Sequence, residues 1–96
     1  MGIKTQPWDA AEFLTSDEAI SEYLTLSLES NDAREIAQAL GSVARARGGI
    51  AELARQTGLT REALHRALSE TGNPEFATVL KVMRALGVKL SASMVA

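Results

Sequence analysis

The sequence predicts a mainly α-helical domain of five helices, with a helix-turn-helix near its centre and a short β-strand at each end. Three observations carry this reading. Of 96 residues, 46% are hydrophobic but only 4% aromatic, so Ala, Leu, Val and Ile must fill the core. That suits short, close-packed helices better than a β-sandwich, whose strands favour aromatic and β-branched residues. Apolar residues recur at helical spacing in successive segments, and most of these segments open on a capping residue or close on glycine. The length fits a single domain. Within it, 1–31 form an acidic arm and helix, 32–87 the helix-turn-helix core and 88–96 a C-terminal strand.

Taken in order, Ile3-Lys4-Thr5-Gln6-Pro7 reads as a short extended arm, followed by Trp8 as an arm or interface anchor. Thr15-Ser16-Asp17-Glu18 has capping-box spacing, with Thr15 and Glu18 placed to cap each other's amides. A helix follows with Ile20, Tyr23, Leu24 and Leu28 on one stripe and Leu26 off it. Asp32 and Glu35 repeat the start signal for a second helix, whose stripe is Ile36, Ala37, Leu40, Val43 and Ala44 and which ends at Gly48-Gly49. Ile50–Thr57 is a third, stopped by Gly58, and Thr60 caps a fourth that runs to about Ser69. Thr71-Gly72-Asn73-Pro74 breaks the chain, and Asn73 as N-cap with Pro74 as N1 opens a fifth. Its expected buried stripe is Phe76, Val79, Leu80, Met83 and Leu86, with Gly87 as its end. Val88, Leu90, Ala92 and Met94 then alternate with Lys89, Ser91 and Ser93, a period of two that reads as a strand.

The net charge of −2 conceals an asymmetry. Residues 1–32 hold seven acids and one base, a net of −6, whereas residues 33–96 hold nine bases and five acids, a net of +4. A basic module therefore follows an acidic one, unless the difference is only solvated helix faces. The absence of cysteine excludes disulfides, thiol nucleophiles and thiolate metal sites. His65 is the one histidine, so a zinc site would need carboxylates for its other ligands, and no metal or other cofactor is expected. No set of nucleophile, base and oxyanion donor is visible, so the chain does not read as an enzyme. Gly48-Gly49 lacks the lysine and hydroxyl residue of a phosphate loop and reads as a helix connector. No apolar run is long enough to span a bilayer and the start lacks a signal peptide's apolar stretch, so a cytoplasmic protein is expected.

The informative stretch is 50–69. Two short helices crossing steeply need a small residue at the crossing, which Ala54 supplies, and a turn that tolerates positive φ, which Gly58 supplies. Leu59 plugs the corner, Leu64 and Leu68 anchor the second helix, and Ala63 and Ala67 let it lie close to its neighbours. At about 100° per residue, Arg61, Glu62, His65, Arg66 and Ser69 share an arc of roughly 140°. This is the pattern of a DNA-reading helix-turn-helix. Thr60, Arg61, Glu62, His65, Arg66 and Ser69 are the candidate groove-facing residues. Arg45 and Arg47 lie just before the next helix, whose free amides could hold a phosphate.

Residues 50–69 resemble the helix-turn-helix of phage Cro and repressor proteins, the Xre type. Over a longer stretch, Ala39-Leu40-Gly41, Ala44-Arg45-Ala46-Arg47-Gly48, Ala54, Gly58-Leu59, Gly72-Asn73-Pro74 and Leu86-Gly87 resemble the probable addiction-module antidote proteins. Asp9–Leu14 and Tyr23-Leu24 fit that family's leading segment. His65 departs from the pattern, standing where an aromatic residue, often tyrosine, is expected. The resemblance implies an antitoxin that neutralises a RelE-like ribonuclease toxin and represses their shared operon. Its expected partners are an operator in double-stranded DNA and a small basic toxin. The acidic segment suits the toxin, with Leu26 between Glu22 and Glu29 as the candidate contact. A single helix-turn-helix reads few base pairs, so a homodimer is expected. Val88, Leu90, Ala92 and Met94 are its candidate interface. Two other readings stay open: an interaction module that keeps the scaffold without binding DNA, which the acidic balance and Glu62 favour, and a stand-alone phage-type repressor.

Overall fold

The computed structural model describes residues 10–69 and 71–95, so the arm at 3–7 and Trp8 lie outside the described residues. A 3₁₀ turn, Ala10–Phe13, leads into α1 (Asp17–Glu29), α2 (Ala33–Ala46), α3 (Gly49–Thr57), α4 (Arg61–Ala67) and α5 (Phe76–Ala85). The five expected helices are present. Helix α2 is the axle of the fold and packs against the 3₁₀ turn, α1, α3 and α5. Its stretch from Ala39 to Ala44 is buried without a break, because neighbours cover it on several sides and not along one stripe. Leu40, Val43, Leu64 and Val82 are the largest fully buried side chains, each stabilising the fold by about 1.5–3 kcal/mol relative to exposure.

The helix ends follow local chemistry, with two shifts from the expected caps. Asp32 caps α2, its Oδ1 accepting from the Arg34 amide at 2.9 Å. For α1 the cap is Ser16 and not Thr15: the Ser16 hydroxyl accepts from the Ala19 amide at 3.1 Å. Either residue lies within reach of a first-turn amide; with Ser16 in extended backbone (φ −144°) the helix begins one residue later. At the other break, α5 begins at Phe76 with Glu75 as its N-cap residue, and not at Asn73-Pro74. Gly72 lies against the end of α4, as described below, and Glu75 takes the extended backbone of an N-cap residue (φ −64°, ψ 151°).

Two further expectations are corrected. Val82 is fully buried, whereas Phe76 and Leu80, expected on the buried stripe, are 66% and 42% exposed. Val82, Val79 and Met83 face α2 and α3, which leaves Phe76 and Leu80 on the outer face with Lys81 and Arg84. The C-terminal strand is absent: residues 88–95 form no strand, and no strand occurs among the described residues. A period of two is satisfied by any half-covered extended segment, but a strand also needs a neighbour for its ladder of amides and carbonyls. Within the described chain this segment has none.

Candidate nucleic-acid interface

Helices α3 and α4 are joined by Gly58-Leu59-Thr60. Gly58 takes a left-handed conformation (φ 78°) while its amide closes α3 on the Ala54 carbonyl at 2.9 Å. A side chain there would be strained, so this turn favours glycine. Thr57 adds a link that sequence reasoning missed. Its hydroxyl donates to the Leu53 carbonyl at 2.8 Å and accepts from the Leu59 amide at 3.2 Å, tying the end of α3 to the turn. A threonine just before a helix-ending glycine was the available signal. Thr60 then caps α4 as expected, accepting from the Ala63 amide at 3.0 Å. Replacing Thr60 with alanine is expected to cost about 1 kcal/mol, measurable as a lower urea midpoint with an unchanged slope.

The anchoring residues sit where the pattern put them. Leu64 is fully buried and Leu68 nearly so, while Leu59, Ala54 and Ala67 pack against the core from its edge. The opposite face of α4 is in solvent: Thr60, Arg61, Glu62, His65 and Arg66 are all exposed. Ser69 is half-buried, its hydroxyl donating to the Arg66 carbonyl at 3.0 Å. The far end of α4 is clamped from two sides. A Cβ on Gly41 of α2 would stand 3.3 Å from the Leu68 carbonyl oxygen, and one on Gly72 only 2.3 Å from that of Ala67. The Gly-Asn-Pro break thus works through close approach of backbone, a role invisible in its turn-like composition.

The cations of this region differ in what holds them. Arg47 pairs with Asp17 at the start of α1. Arg45 lies along α2, with Nη2 3.1 Å from the Ser42 hydroxyl. Both precede α3, whose N-cap Gly48 offers no side chain to the helix amides. Arg55 grips Glu52 through Nε at 3.0 Å and Nη2 at 2.5 Å, and Gln56 adds a third bond to the same carboxylate at 2.8 Å. Hydrogen bonding from Arg55 holds the Glu52 carboxyl below the usual carboxylate range. By contrast, Arg61 and Arg66 form no ion pair among the described residues. Both arginines are exposed, on a helix anchored in the core by Leu64.

Sequence comparison settles the family. The model of a family described as probable addiction module antidote protein matches residues 4–94. The chain belongs to this family. An uncharacterized protein of Haemophilus influenzae is 50% identical over 89 residues, covering 93% of this chain and 91% of that one. No solved structure matches. For this antidote-family protein, the resemblance drawn from the Ala-Arg-Ala-Arg-Gly and Gly-Asn-Pro elements therefore holds across nearly the whole chain. An antidote implies a toxin to act against. Among the described residues no helix is long and apolar enough to cross a membrane, and no three His, Asp or Glu side chains gather into a metal-binding group.

Proposed function

We propose that this protein is the antitoxin of a type II toxin–antitoxin module. It acts in the cytoplasm as a symmetric homodimer, binds its operator through an Xre/Cro-type helix-turn-helix formed by α3 and α4, represses its own operon and neutralises a small basic RelE-like ribonuclease. The observation that supports this most is the exposed face of α4. Arg61 and Arg66 stand there without carboxylate partners among the described residues, with Thr60, Glu62, His65 and Ser69 around them, on a helix fixed from behind by Leu64. Arginine's planar fork matches the O6 and N7 acceptors of guanine. Arg45 and Arg47 add positive charge before α3, suited to phosphate contact. A gel shift with the DNA just upstream of the gene is the direct test. Binding there should exceed binding to random DNA of equal length at the same salt. Equal affinity for both would leave the interaction-module reading in its place.

The toxin contact is assigned to α1. Glu18, Glu22, Thr25, Leu26 and Glu29 share an arc of about 100°, all exposed, with Leu26, 67% exposed, at the margin of the arc beside Glu22. The opposite arc carries Ile20, Leu24 and Ser27 into the core. An acidic stripe bordered by one exposed apolar side chain suits a basic protein and repels DNA phosphates. Reversing the charge of Glu22 and Glu29 together is expected to slow association with the toxin, more strongly at low salt than at high salt. Stopped-flow mixing at two ionic strengths would read this, and a salt-independent rate in the variant and the parent alike would refute the assignment.

A further inference from the structure

The homodimer just proposed needs a self-complementary surface, and the inference drawn here rests on that reading. Seven large hydrophobic residues stand exposed among the described ones, and five of them lie on α5 or the segment after it: Phe76, Leu80, Leu90, Met94 and Val95. Met94 and Val95 are 96% and 95% exposed. Beside Phe76, an apolar groove of ≈ 230 Å³ runs between the end of α1, the start of α2 and α5, lined by Leu28, Ile36, Val79 and Met83 with Leu90 at its edge. One chain thus carries both an open apolar groove and an apolar segment that covers nothing.

We propose that this groove receives Met94 and Val95 of a second copy of the chain, reciprocally across a two-fold axis. The chain's own segment is poorly placed to fill it. Leu90 already sits at the groove, and from Ser91 onward every described residue is exposed, so the chain runs away from the body. Residues 89–95 also make no hydrogen bond among the described residues, so their amides and carbonyls are open to another chain. Charge agrees. Exposed Glu29, Asp32, Glu35 and Glu75, against Arg34 and Arg84, neighbour the lining residues in sequence, while Lys89 is the one charge in 88–95. Methionine's flexible side chain suits an irregular apolar gap. Across the two-fold axis each copy gives a tail to the chain whose tail it receives, so the exchange closes at two chains.

The chain has no cysteine, which makes crosslinking clean. Full-length Ala33→Cys protein, cysteine placed in the groove, is mixed with full-length Met94→Cys protein under mild oxidant. The mixed covalent dimer should form about tenfold faster than with Glu18→Cys protein as the partner of Met94→Cys. The Met94→Asp/Val95→Asp double variant should need about tenfold more protein to dimerise in sedimentation. A wild-type chain that stays monomeric at high micromolar concentration overturns the dimer and this contact together. A dimeric wild type whose groove crosslink is no faster than the control overturns the contact alone. Closure of an Ala33→Cys/Met94→Cys chain on itself as a monomer would assign the groove to its own tail, and overturns it equally.

Discussion

Replacing Gly72 with alanine is expected to destabilise the fold by about 1–3 kcal/mol, the range for forcing an extra methyl into a packed site. For a domain of this size that is a fall of roughly 5–20 °C in the melting temperature. The added Cβ would lie 2.3 Å from the Ala67 carbonyl oxygen and 2.6 Å from that of Arg66. These are backbone atoms at the end of α4, so no side chain can rotate away; the 71–75 segment or α4 itself must move. Thermal unfolding by circular dichroism reads the effect. Operator affinity should fall as well, because the displaced carbonyls belong to the helix that carries Arg61 and Arg66. A Gly72→Ala protein that melts with the parent would mean that the loop and α4 are not in contact in solution.

Much of the fold was legible because it depends on short-range rules. Asp32, Gly58, Thr60 and Gly87 mark helix ends through the geometry of their own side chains or φ angles, and those marks do not depend on what packs nearby. The candidate interface was legible for a related reason. Arg61, Glu62, His65 and Arg66 fall on one arc of α4 as soon as Leu64 and Leu68 fix the other. What escaped depends on contacts made outside a residue's own element. The role of Gly72 is set by carbonyls in another element, and the Arg47–Asp17 pair joins residues 30 apart. Which face of α5 is inward was decided by α2 and α3, so Val82 replaced Phe76 and Leu80 in the core. The alternation in 88–95 was real, but its meaning is settled by a pairing partner that periodicity does not supply.

Loss of both exposed arginines of α4 is expected to have the largest effect on DNA. Arg61→Ala or Arg66→Ala alone should cost about 1–3 kcal/mol of operator affinity where the side chain makes a bidentate base contact. The two stand about 140° apart around α4, so they cannot share one base pair, and the double variant should lose more than either single one. Neither side chain is buried or ion-paired among the described residues. Stability should therefore stay within about 0.5 kcal/mol of the parent, which separates a binding defect from a folding defect. Salt dependence sorts the two roles. An arginine that reads a base should lose specific affinity and leave binding to random DNA nearly intact. One that holds a phosphate should weaken both and reduce the slope of log affinity against log salt by about one. Fluorescence anisotropy titrations on operator and random duplexes, at three salt concentrations, distinguish these outcomes. A folded double variant with parental operator affinity would remove α4 from the DNA-binding surface, leaving the exposed arginines without the role proposed for them.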